Sequence, residues 1–189
     1  MTPRLFHFWS DSNSSRLRMA LSYKQIAYQD IPLSQQDDQT FFDLGLSRQV
    51  PVFIDSEEQI HRDSEELLWN IDLMFPDSPP LVNAIIDKAA WQALLSWRQS
   101  VDAVLKRLLA PALLSFKDIS ENEDTLADYK QSVIQQFGMS AEALASDRFA
   151  SYEQFARLTN IVDLSRHLAK SRFYMGQLSI ADIVLTADL

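Results

Sequence analysis

The sequence contains no cysteine. That absence excludes disulfides, thiolate-ligated zinc, iron–sulfur clusters and a Cys-x-x-Cys redox centre together. Glycine is almost as scarce, occurring only at positions 45, 138 and 176. No glycine-rich phosphate loop can be built from three such scattered residues, and a nucleotide fold of the Rossmann kind finds no support. The histidines, His7, His61 and His167, have no i,i+4 pairing, which favours packing over metal ligation, so no metal is expected. No apolar run approaches the roughly 18 residues of a membrane span. The start, Met1-Thr2-Pro3-Arg4-Leu5-Phe6-His7, lacks the long apolar stretch of a signal peptide, so the expectation is a cytoplasmic protein without a membrane partner. Bases are the minority charge, 17 Lys and Arg against 26 Asp and Glu, for a net charge of −9. That deficit argues against nucleic acid, whose binders carry a basic face.

What remains is an ordinary globular composition, 47% hydrophobic and 23% charged over 189 residues, long enough to bury a real core. From Arg4 to Trp9 the chain is apolar and aromatic, short enough for a buried strand. It stops at Ser10-Asp11-Ser12-Asn13-Ser14, residues that bond backbone amides and so favour caps and turns. Leu17, Ala20 and Leu21 then step at helical spacing, predicting a helix that starts near residues 12–14. Ile26 to Leu33 alternates loosely and predicts a second strand, joined to the first by a right-handed parallel crossover. Residues 34–48 are polar with one apolar turn, Phe41, Phe42 and Leu44, closed by Gly45.

Residues 49–71 carry the densest pattern. Val50-Pro51 stands where a strand begins, a position that tolerates a residue with no N–H to donate. A short apolar strand, Val52 to Ile54, precedes a polar turn, a second short strand around Ile60, and a helix start at Asp63-Ser64. A backbone amide beside a proline and a helix N-terminus one hairpin away suit a small anionic peptide.

Pro76, Pro79 and Pro80 stiffen the segment after this helix and mark a boundary. Beyond it strand signals vanish. Apolar residues from Ile85 and Ile86 through Trp97 to Leu109 step by threes and fours along one long helix. Leu126, Tyr129, Val133 and Phe137 repeat the spacing and end at Gly138, suited to the position after a helix. Tyr152, Phe155, Leu158 and Val162 predict another helix, and Ile180 begins the last. The division expected is 1–76, a connector over 77–82, and an all-helical 83–189.

On these residues the chain resembles the glutathione transferase superfamily. The resemblance implies a thioredoxin-like, glutathione-binding N-terminal domain followed by an all-helical domain, an α/β plus all-α architecture spanning the whole chain. It implies that Val50-Pro51 is cis and that Gln49, Val50 and Pro51 meet the cysteinyl part of glutathione. It implies too that Asp63 and Ser64 hold the γ-glutamyl end, Ser64 taking the carboxylate and Asp63 the ammonium. Glu66 departs from the small residue usual in the family two places after the serine.

Aligning Arg16-Leu17-Arg18-Met19-Ala20-Leu21 with the corresponding family helix puts Asp11 at the usual serine, flanked by Ser10 and Ser12. A thiolate there needs a hydroxyl or amide donor. Ser12 is the first candidate and Ser10 the second, and the residues alone equally suit capping. The run Gly176-Gln177-Leu178-Ser179-Ile180-Ala181-Asp182 matches the family's Gly-x-x-Ser/Thr-x-Ala-Asp box, whose physics is a capping box. Leu108-Leu109-Ala110-Pro111 and Asp128-Tyr129-Lys130 are also similar to the helical half of two-domain glutaredoxins. Those enzymes carry Cys-Pro-x-Cys where this chain has Asp11-Ser12-Asn13-Ser14, so a dithiol mechanism is excluded. The implied activity is conjugation of glutathione, as co-substrate, to a small-molecule electrophile, in a homodimer. The alternative is a non-catalytic member that uses the same scaffold to bind.

Overall fold

A computed structural model describes residues 1–188. Strand β1 (Arg4–His7) leads through helix α1 (Ser12–Tyr23) to β2 (Gln29–Pro32), and a short helix α2 (Asp38–Asp43) precedes the hairpin β3 (Val52–Ile54) and β4 (Ile60–His61). The sheet order is β2-β1-β3-β4. β1 runs parallel to β2, with Leu5 opposite Asp30, and antiparallel to β3, with Leu5 opposite Phe53. Helices α3 (Ser64–Trp69) and α4 (Ile71–Met74) close this α/β part. The rest is helical: α5 (Lys88–Leu113), α6 (Lys117–Ser120), α7 (Glu123–Phe137), α8 (Ala141–Ser146), α9 (Arg148–Arg157), α10 (Thr159–Leu168) and α11 (Ile180–Asp188). This is the thioredoxin-like plus all-helical architecture. Among the described residues no helix is long and apolar enough to cross a membrane, and no group of three His, Asp or Glu stands ready for a metal.

Strand alternation divides the core. Phe6, Val52 and Ile54 face Leu33 and Phe41 on one side of the sheet. Leu5 and Phe53 face the other, packing with Leu17 and Leu21 of α1 and Leu67 and Leu68 of α3. The same cluster takes in Trp91 and Leu94 of α5 and Ile180, Val184 and Leu185 of α11. A separate cluster of Ala110, Val133, Ala141 and Leu144 holds α5, α7 and α8 together farther out.

Asp72 of α4 fixes the connector. It is 4% exposed and accepts from the Lys24 ammonium at 2.6 Å and from the amides of Leu81, Val82 and Asn83. Lys24 also donates to the Pro79 carbonyl at 2.9 Å. Beyond the connector, the Ile180 amide donates to the Leu81 carbonyl at 3.0 Å. The capping box at α11 forms as its sequence implies. Asp182 accepts from the Ser179 amide at 2.9 Å and hydroxyl at 3.0 Å, and its other oxygen accepts from the Tyr174 amide.

Several elements differ from the sequence expectation. The apolar turn of Phe41 and Phe42 is a short helix capped by Asp37. Ile85 and Ile86 precede α5, because Asp87 caps that helix by accepting from the Ala90 amide. Pro111 lies within α5, near enough to its end that the helix runs on only to Leu113. The predicted helix through Tyr152, Phe155, Leu158 and Val162 is two helices, broken where Leu158 adopts extended backbone, ψ 126°. Neither glycine nor proline marks that break, which is why periodicity ran through it. Helix α8, capped by Ser140, was too short to give a period. Gly138 follows α7 at φ 70° as expected.

His7 is fully buried in β1. Its Nε2 lies 3.0 Å from Asp30 Oδ1, but neither ring nitrogen has hydrogen-bond geometry. The Trp9 ring stands edge-on at 4.9 Å, and Arg18 lies over Trp9 and 3.5 Å from Asp30. Burial lowers the His7 pKa below the ordinary 6.5, an effect that Arg18 reinforces and Asp30 opposes. The unfolded chain therefore takes up a proton that the folded protein refuses. The stability contribution is complete above pH 6.5 and is lost as pH falls through 6.5 towards the lowered folded value. Urea midpoints measured from pH 7.5 to 5 are expected to fall in the parent and to fall less steeply in His7→Phe. Parallel curves for the two proteins would remove His7 from that role.

Candidate functional site

The N-terminus of α1 is organised by Asp11, which caps the helix. Its Oδ2 accepts from the Ser14 amide at 2.7 Å and hydroxyl at 2.5 Å. Of the polar run 10–14, then, one residue does the capping. Ser10 is committed elsewhere. Its hydroxyl donates to the buried Asp118 of α6 at 2.5 Å, and Gln35 donates to both. A hydroxyl whose proton points at a carboxylate has none left for a thiolate, which corrects its place as second candidate donor. Ser12 instead accepts, from Arg16 at 3.4 Å, leaving its own O–H to donate.

Arg16 is buried, 1% exposed, and organises the wall behind these residues. It donates to Asn13 Oδ1 at 2.7 Å and pairs with Asp188 of α11. Burial lowers the Arg16 pKa, with Asp188 opposing. Asp188 also accepts from Arg98 Nε of α5 at 2.7 Å, and Arg98 Nη1 donates to Glu65 of α3 at 3.2 Å. A chain of alternating charge thus runs from α1 through α11 and α5 to α3.

Two cavities adjoin there. The first, 450 Å³, is lined by Asn13, Gln49, Val50, Arg62, Asp63, Ser64, Glu65 and Arg98. Val50-Pro51 is cis, and Pro51 is buried and does not line the cavity. Asp63 caps α3 by accepting from the Glu65 and Glu66 amides, both at 3.0 Å. The Ser64 hydroxyl and amide have no partner among the described residues. Arg62 donates to Ser47 and to Gln49 Oε1 at 3.3 Å, which turns the Gln49 amide nitrogen outward. Two carboxylates and two guanidinium groups therefore share one small, open space. The acid facing it from α3 is Glu65, paired to Arg98, rather than Glu66, which stands on the other side beside Trp69 and Trp91.

The second cavity, 360 Å³, lies between α1 and the helical part. Ser12 opens into it with Asp11, Arg98 and Lys106, and its wall is the apolar set Leu105, Leu109, Leu113, Val133 and Phe137. Tyr129 also lines it, donating to the Ala110 carbonyl at 2.9 Å. Burial pushes its pKa up to about 12, so its proton stays in place at neutral pH.

Residues 1–62 match the family model of the glutathione S-transferase N-terminal domain. Residues 1–62 carry a glutathione S-transferase N-terminal domain, and the chain as a whole has the thioredoxin-like plus all-helical fold. It is similar to a glutathione transferase from Phanerochaete chrysosporium, with 19% identity, TM-score 0.71, and coverage of 99% of this chain and 83% of that one. It is similar to glutaredoxin 2 from Salmonella typhimurium in complex with glutathione, with 17% identity, TM-score 0.77, and coverage of 98% and 82%. A glutathione S-transferase of Ceriporiopsis subvermispora, also in complex with glutathione, gives 19% identity, TM-score 0.75, and coverage of 99% and 85%. No curated protein matches the sequence.

Of the residues singled out from the sequence, the first cavity brings together Gln49, Val50, Asp63 and Ser64, while Ser12 opens into the second. Sequence reasoning missed Asn13, Arg62, Glu65 and Arg98. Arg62 adjoins Asp63-Ser64, and Asn13 stands three residues before Arg16, spacing that puts two helical side chains in reach. Arg98 left no signal, since nothing along a long helix says which cation turns towards another part of the fold.

Proposed function

We propose that the protein binds glutathione in the 450 Å³ cavity and conjugates it to a small-molecule electrophile held in the adjoining one. The observation that carries this reading is the convergence of Gln49, Val50, Asp63 and Ser64, with Arg62, on one cavity. Glutathione presents two carboxylates, an ammonium and two peptide groups. Ser64 offers an unused hydroxyl and amide to the γ-glutamyl carboxylate, and Asp63 or Glu65 offers negative charge to the ammonium. Gln49 and the Val50 backbone suit the cysteinyl peptide, and Arg62 the remaining carboxylate. Helix α3 has only six residues, so the hydroxyl and amide matter more than its dipole. The sulfur then falls near the N-terminus of α1, where Ser12 and the Asn13 amide are the available donors.

Calorimetry at millimolar glutathione tests the binding step. Saturable heat is expected. Ser64→Ala removes a hydrogen bond to a charged group worth roughly 1.5–3 kcal/mol, weakening affinity about tenfold or more. Absence of heat in the parent sinks the ligand assignment. The second reading, a member that binds without turnover, is favoured by one observation: Asp11 lines the same cavity as Ser12, and a carboxylate there opposes a thiolate.

A further inference from the structure

Ser12, the first residue of α1, is barely held by its own side chain. Its hydroxyl has one contact among the described residues, the 3.4 Å bond it accepts from Arg16. Its place therefore follows from the backbone beside it. Asp11 is fixed by capping, through the Ser14 amide and hydroxyl. Ser10 is fixed from far off in the chain. Asp118 Oδ2 accepts from the Ser10 hydroxyl at 2.5 Å and from its amide at 3.3 Å. Gln35 Nε2 donates to the Ser10 hydroxyl oxygen at 3.2 Å and to the same carboxylate oxygen at 3.4 Å. Bonds to an ionised acceptor are the strong kind. Asp118 stands on α6 in the helical part, whereas Ser10, Ser12 and Gln35 belong to the α/β part. Helix α6 joins α5 to α7, and Leu113 of the one and Val133 and Phe137 of the other wall the second cavity.

Asp118 is 7% exposed, and its Oδ1 is buried with no hydrogen-bond partner among the described residues. A carboxylate oxygen left in that state costs stability. Departures of this kind persist where a site needs what they hold in place. Resting on the conjugation reading, we propose that Asp118 is a positioning residue: by clamping Ser10 to α6 it sets the Ser12 hydroxyl against the wall of the cavity that receives the electrophile. Asp118 lines neither cavity, so it acts through Ser10. The Arg16–Asp188 pair also joins the two parts, but one turn into α1, and it leaves the residues ahead of the helix to Asp118. The thiolate donor rides on one part of the molecule and the electrophile's wall on the other. Their separation is set where Ser10 meets Asp118, and a misplacement of about 1 Å at a reacting centre costs on the order of 10²-fold in rate.

The test is a double-mutant cycle between Asp118 and Ser12. It is read in kcat with chlorodinitrobenzene, in glutathione affinity by calorimetry, and in the pKa of the bound thiol by ultraviolet titration of the complex. Asp118→Ala is expected to lower kcat about tenfold or more and to raise the thiol pKa by about one unit, the same factor in an equilibrium. Glutathione affinity should hold. In the Ser12→Ala background the same substitution should cost less than about twofold, because two residues that act through one group do not add. Asp118→Asn keeps an acceptor for Ser10 and should recover most of the loss. Thermal unfolding reports whether Asp118→Ala folds. If it does not, Ser10→Ala removes the same bond from its other end and carries the cycle. Equal losses in both backgrounds would overturn the proposal, as would a loss confined to glutathione affinity. So would a lowered Tm with kcat and thiol pKa unmoved, which leaves Asp118 a structural clamp. In a parent that binds glutathione without turnover, the thiol pKa alone carries the cycle and decides it in the same way. A parent that binds no glutathione overturns the conjugation reading, and the role of Asp118 with it.

Discussion

Asp72→Ala is expected to destabilise the protein by about 3–5 kcal/mol, the cost of stranding one member of a buried ion pair. The Lys24 ammonium would keep only the Pro79 carbonyl, and the amides of Leu81, Val82 and Asn83 would lose their acceptor. For a chain of this size that corresponds to a fall in Tm of roughly 6–20 °C. Lys24→Met combined with Asp72→Leu removes both charges, yet leaves three amides unsatisfied, so recovery should be partial. A loss below about 1 kcal/mol on Asp72→Ala would mean the connector is held by its prolines and apolar contacts alone. The pH behaviour separates this pair from His7. Burial would raise the Asp72 pKa, but the Lys24 ammonium and the three amides outweigh it and hold the carboxyl below its ordinary 3.8. Its contribution is complete above pH 3.8 and disappears only as pH falls through the lower, folded value. Weak acid therefore loosens the sheet around His7 while the connector stays fastened.

Ser12→Ala should reduce kcat for conjugation about 10²–10³-fold, the effect of removing one donor from developing or stabilised negative charge. Glutathione affinity should change little, because Ser12 opens into the second cavity and not the first. Asp11→Ser makes the opposing test. Serine still caps a helix, so α1 survives while a negative charge leaves the cavity. Steady-state rates with one electrophile, read beside calorimetric affinities, decide between the two readings of the protein. Loss in Ser12→Ala supports catalysis through that hydroxyl. A gain in Asp11→Ser, with no loss in Ser12→Ala, marks a member in which binding has outlived turnover.

The sequence made the α/β half readable because its signals are local. A proline ahead of an apolar triplet, a polar turn and an Asp-Ser helix start each have one easy structural reading, and their spacing joined them. The capping box at Ser179 and Asp182 was readable for the same reason. What escaped notice is non-local. Ser10 and Ser12 are chemically alike, and only the arrival of Asp118 from α6, 108 residues on, separates them. Glu65 and Glu66 are adjacent and identical, yet one pairs with Arg98 and the other faces away. Arg98 matters through where α5 crosses α1 and α11, which no pattern in its own helix records. Leu158 breaks a helix with no breaker residue, and nothing in its surroundings explains the turn.

The division of the apolar interior into separate clusters bears on how such a protein can change. Leu5, Phe53, Trp91 and Ile180 belong to the large cluster that sets the fold. Ala110 and Val133, with Tyr129 and Phe137 packed against them, belong to the outlying one, and all four also line the second cavity. Residues that shape the pocket are thus largely insulated from residues that hold the sheet to the helices. Mutations that resize the pocket need not disturb the frame. A lineage, or a library confined to the facing sides of α5 and α7, can reshape that cavity while the packing of the sheet against its helices stays in place.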